Sequence, residues 1–125
     1  METTNMTLPR PCVYVVECDR GTKIGISQEI NGRVRELERA GCTRVQVIRV
    51  FETATYQKAR WVEAWAHFEL RDDRFVGEWF HTHPIVAADV VARVIRWDPL
   101  YYPNLALVDN PHVLAFLART SAEAA

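Results

Sequence analysis

The period of the apolar residues changes several times along the chain, and each change marks an element. The stretch 12–17, centred on Val13-Tyr14-Val15-Val16, is β-branched and aromatic, and 22–27, with Lys23-Ile24-Gly25-Ile26-Ser27, is a second such run. Between them the polar turn Asp19-Arg20-Gly21-Thr22 predicts a hairpin. Ile30, Val34 and Leu37 then repeat at i, i+4, i+7, which predicts an amphipathic helix over 29–40 with Gly41 placed to end it. Apolar alternation through Val45 and Val47, running into Ile48, Val50 and Phe51, predicts a third strand over 44–51. Helical spacing returns over about 55–70, with Trp61, Trp65 and Phe68 as the expected buried stripe and Thr53 or Thr55 as the cap. Tyr56, Arg60, Glu63 and His67 share another face of that helix.

Further on, Arg71-Asp72-Asp73-Arg74 reads as a charged turn, and 75–82 as a short extended segment anchored in the core by Trp79 and Phe80. Pro84 opens a helix to about Trp97. The stretch 98–110, with Tyr101, Tyr102 and Pro103, is expected as a long loop, either a plain packed one or a surface for a partner or substrate. Asn110-Pro111 starts a last helix. The expected organisation is an N-terminal arm over 1–10, a folded domain over 11–97, and a C-terminal loop and helix over 98–125 packed on that domain. Its fold class is α+β, a small three-stranded sheet with an N-terminal antiparallel hairpin, flanked by helices.

At 125 residues and 49% hydrophobic, the chain has material for one core. No apolar run approaches the ~20 residues that cross a bilayer, and 1–11 lacks the apolar centre of a signal peptide, so a soluble, cytoplasmic protein with no membrane partner is expected. Cys12, Cys18 and Cys42 fit no zinc or redox spacing and read as buried free thiols. A net charge of -1 argues against a large non-specific nucleic-acid surface. The charge is uneven, however: residues 1–62 carry 10 Lys and Arg against 7 Asp and Glu, and residues 63–125 carry 5 against 9.

Part of the candidate chemistry lies in the basic half. A hairpin followed at once by a helix would bring Tyr14, Lys23 and Arg33 to one side of the sheet, a phenol, an ammonium and a guanidinium suited to a phosphodiester. In these residues the chain resembles the GIY-YIG endonuclease superfamily, in particular its short phage and bacterial branch. Val13-Tyr14 stands where that family has Ile-Tyr, and Lys23-Ile24-Gly25 where it has Tyr-Ile-Gly. Arg33 takes the place of its catalytic arginine, and Glu63 that of its metal-binding glutamate. His67, four residues later, and Gly77-Glu78-Trp79-Phe80 match further features of the branch. The resemblance covers roughly 11–82. Cys12 for the first glycine, a shorter hairpin and Lys23 for the second tyrosine depart from the wider pattern.

The resemblance implies a metal-dependent endonuclease acting on DNA, with RNA as a second substrate class, of phage or mobile-element origin. In it Glu63 binds Mg²⁺ or Mn²⁺, Arg33 holds a phosphate oxygen, and Tyr14 or Lys23 activates water. Tyr14 would have its pKa lowered by Lys23, unless Lys23 itself is the base. His67 either bonds the phosphate or the attacking water, or only closes the helix face, and Glu78 is a candidate second acid. A centre cutting one strand per visit must dimerise or act twice to break a duplex, so a homodimer is a candidate state. His81-Thr82-His83 lacks a third ligand at zinc spacing. The alternative is a catalytically inactive module of the same fold that binds nucleic acid or a protein partner.

Overall fold

The computed structural model describes residues 10–96. The expected arm up to residue 9, the loop over 98–110 and the last helix lie outside the described residues. Strands β1 (Cys12–Cys18) and β2 (Gly21–Ser27) form the hairpin, α1 (Ile30–Arg39) follows, and β3 (Gln46–Glu52) returns to the sheet. Helix α2 (Tyr56–Glu69), a single 3-10 turn, the short strands β4 (Arg74–Val76) and β5 (Trp79–Phe80), and α3 (Pro84–Arg96) complete the fold. The architecture is α+β, as expected, but the sheet has five strands rather than three, in the order β3-β1-β2-β5-β4. All four neighbouring pairs are antiparallel. Three and two residues are too few to show an alternation in sequence, so β5 is defined by pairing with the free edge of β2, and β4 by pairing with β5.

Alternation along β1 sends Val13 and Val15 to one face and Tyr14 and Val16 to the other. Val13, Val15, Ile24 and Phe80 pack with Val62, Ala66, Val91 and Val94 of α2 and α3, and this is the main core. Thr55 caps α2 by accepting from the Lys58 amide. Glu29 caps α1 by accepting from the Asn31 and Gly32 amides. No residue of α1 is buried, and its stripe of Ile30, Val34 and Leu37 is only half covered.

The buried stripe of α2 differs from the expected one. Ala59, Val62 and Ala66 are fully buried, while Trp61 and Phe68 sit at the core margin and meet Trp65 edge-on. Small residues let α2 approach β2 closely, and the bulky rings fill the rim. Among the described residues no helix is long and apolar enough to cross a membrane.

Candidate active site

Residues opposite one another in an antiparallel pair share a face. Tyr14 stands opposite Gly25, and Val16 opposite Lys23. The Tyr14 ring lies across β2 at Gly25: a Cβ there would meet its hydroxyl at 2.5 Å and its Cζ at 2.7 Å. Glycine is therefore required at this position by the phenol.

The outer edge of β2 is where the sheet gives way to the site. β5 pairs with Thr22 and Lys23 and reaches no further. Beyond it, the Ile24 amide donates to the Glu78 carbonyl at 3.2 Å, and the Ile24 carbonyl meets His67 Nε2 at 2.9 Å. A carbonyl can only accept, so Nε2 carries the proton. His67 thus takes the place of a missing strand partner. Its ring also meets Phe80 edge-on, and burial lowers its pKa, so it stands neutral.

One turn before it on α2, Glu63 is 5% exposed. Burial first, then the charge and hydrogen bond of Glu78, push the Glu63 carboxyl up to about 9, against the opposing charges of Lys23 and Arg60. At neutral pH it stands as a protonated acid against Glu78, and its 4.0 Å approach to His67 joins two neutral groups. Its Oε2 is buried without a hydrogen-bond partner. Burial acts to raise the Glu78 carboxyl too, but the charge and hydrogen bond of Lys23 prevail and hold it below the usual range. Lys23 Nζ donates to Glu78 Oε1 at 2.7 Å and lies 5.4 Å from the centre of the Trp79 ring.

Arg33 enters from α1. Its Nη1 is 3.1 Å from Glu36, one helical turn on, while its Nε is buried without a hydrogen-bond partner. Its charge reaches the Tyr14 hydroxyl. Tyr14, Lys23 and Glu63 are linked through Glu78, and Arg33 joins them through Tyr14. His67 is drawn in as a support of the strand edge.

The expectation that Lys23 lowers the phenol's pKa is overturned. Burial, then the negative charge of Glu78, raise Tyr14 well above the ordinary phenol value, with Arg33 only partly offsetting them. Lys23 is paired to Glu78, and that pair brings an anion beside the phenol. Glu78 is the site residue that sequence reasoning undervalued. The Gly77-Glu78-Trp79-Phe80 match was its signal, because Trp79 and Phe80 form β5 and so fix Glu78 beside Ile24. The two flanking histidines are engaged separately, His81 stacked on Phe75 and His83 accepting from the Ile85 amide. A surface cavity of about 400 Å³, lined by Glu17, Cys18, Asp19, Thr43, Arg44 and Gln46, holds none of the candidate residues.

Comparison with known families decides the kinship. The model of the T5orf172 domain matches residues 11–97. The chain belongs to the T5orf172 domain family. This is a phage-derived family in the range of nuclease-like domains. No curated protein and no solved structure matches the chain. The T5orf172 match covers the hairpin, all three described helices and every candidate residue.

Proposed function

We propose that this T5orf172 domain is a metal-dependent endonuclease of the GIY-YIG kind that hydrolyses DNA phosphodiester bonds. One observation carries the reading: two buried polar atoms without hydrogen-bond partners, the donor Arg33 Nε and the acceptor Glu63 Oε2, flank the Tyr14, Lys23 and Glu78 group. Buried polar groups are ordinarily satisfied. A donor in want of an anion and an acceptor in want of a cation suit a phosphate accompanied by a metal ion.

The donor set fits a hard ion. Glu63, once the ion displaces its proton, would offer a carboxylate oxygen, and among the described residues no three His, Cys, Asp or Glu side chains form a metal-holding group, so water and substrate oxygens would complete the shell in the manner of magnesium or manganese. When bound, the ion supplies positive charge that acidifies water and offsets charge on the phosphoryl oxygens. Arg33 forks onto a non-bridging oxygen. Lys23, held as an ammonium against Glu78, adds a second fixed cation and is poorly placed to act as a base. Tyr14, neutral because its pKa is raised, orients the attacking water through its hydroxyl. His67 is a positioning residue that keeps Ile24, and with it Gly25, in register beneath the phenol. A duplex break would take two such centres, as in a homodimer, or two visits.

The acidic second half favours a different reading, an inactive module that grips nucleic acid or a protein partner. Incubation of supercoiled plasmid, and separately of structured RNA, with Mg²⁺ or Mn²⁺ distinguishes the two. Nicked circles that require metal and vanish with chelator are expected. Intact DNA and RNA in both metals would sink the nuclease reading and leave the binding module.

A further inference from the structure

Glu78 is the one carboxylate of the site to which the chemistry above assigns no contact with substrate or ion. It follows Gly77, whose φ of +54 turns the chain between β4 and β5. Its carbonyl is fixed by the Ile24 amide, its Oε1 is fixed by Lys23, and the same Oε1 stands 3.0 Å from where a Cβ at Gly25 would be. Its carboxylate also lies against that of Glu63, whose own Oε2 is buried and unpartnered.

A partner needed only to neutralise Lys23 has no need to lie against a buried second acid; in the metal-free chain the Glu63 proton relieves that contact, and a divalent ion can take the proton's place. We propose that Glu78 is a second carboxylate ligand of the divalent ion, shared with Glu63, and that the Lys23 ammonium occupies its Oε1 until the ion arrives. This rests on the metal-dependent reading above. It makes Lys23 and the ion competitors for one oxygen, which a purely structural ion pair would not do.

The test is Mn²⁺ binding to the full chain, followed by the electron paramagnetic resonance signal of free Mn²⁺, with circular dichroism confirming the fold of each variant. Glu78→Gln is expected to weaken binding about tenfold or more, the order for losing one charged contact. Lys23→Met is expected to tighten it several-fold by freeing Glu78. Should Glu78→Gln unfold the chain, Lys23→Met carries the test alone. Wild-type affinity in Glu78→Gln alongside lost binding in Glu63→Gln would overturn this inference and leave the metal centre standing. Unchanged or weaker binding in Lys23→Met would overturn it as well. A wild-type chain that binds no Mn²⁺ would overturn both readings.

Discussion

Helices α1 and α2 both read as amphipathic, yet the one with the cleaner pattern is the less buried. α1 sets Ile30, Val34 and Leu37 on one stripe and buries no residue, whereas α2 mixes polar and apolar positions and buries seven, Glu63 and His67 among them. The difference reflects what each helix contributes. α1 is capped by Glu29, tied at its far end by an Arg20 hydrogen bond to the Ala40 carbonyl, and supplies a charge from the rim. α2 lies on the sheet and brings an acid and an imidazole into a place where apolar side chains would be more stable. Polar residues on a buried face are the mark of a site that stability alone does not explain.

The comparison can be broken most sharply at Arg33. If α1 contributes charge rather than packing, Arg33→Met should cut plasmid nicking about 100-fold. Its melting temperature should stay near wild type, a shift equivalent to no more than ~0.5 kcal/mol. A large loss of stability would mean that α1 is part of the core. In the opposite direction, Val62→Ala in α2 should cost about 2–3 kcal/mol in urea unfolding, and Leu37→Ala in α1 about 1 kcal/mol or less. Similar costs at the two positions would erase the distinction between the helices.

A further effect is expected on pH dependence. The Glu63 carboxyl is raised to about 9 in the folded chain, against roughly 4.3 for an unfolded glutamate. Between these values the folded state holds a proton that the unfolded state has lost, so stability falls as pH rises. His67, with its lowered pKa, acts with the opposite sign, but only below its unfolded value of about 6.5. Glu78, with its lowered pKa, loses its contribution only as pH falls through its folded value, below this range. In metal-free buffer the melting temperature should therefore drop between pH 7 and 9 by about 8 °C, on the order of 2 kcal/mol. Glu63→Gln, a mimic of the neutral acid, should reduce that slope, leaving the part due to the raised thiols of Cys12 and Cys18. An equal slope in both proteins would place the Glu63 titration elsewhere.

Much of this was legible in the sequence because it rests on local pattern. The hairpin shows in its β-branched runs and turn, α1 in its period and Gly41, α3 in Pro84, and the candidate residues Tyr14, Lys23, Arg33 and Glu63 in their order. What could not be read depends on pairing between distant segments. β5 is two residues long and exists because the β2 edge is free. The choice of Ala59, Val62 and Ala66 over Trp61 and Phe68 for the buried face follows from how closely α2 approaches β2. The direction of the Tyr14 shift depended first on burial of the phenol and then on Glu78, which lies far along the chain and is brought to the phenol through β5.

The central claim is that Glu63 is buried on α2 for the sake of phosphodiester cleavage, and the most direct measurement compares supercoiled plasmid nicking by wild type and Glu63→Gln in Mn²⁺. The amide keeps the shape and neutral charge of the resting side chain, so the account predicts a folded variant at least as stable as wild type at pH 8 with nicking reduced by about 1,000-fold or more. A Glu63→Gln variant that nicks plasmid at the wild-type rate would contradict it.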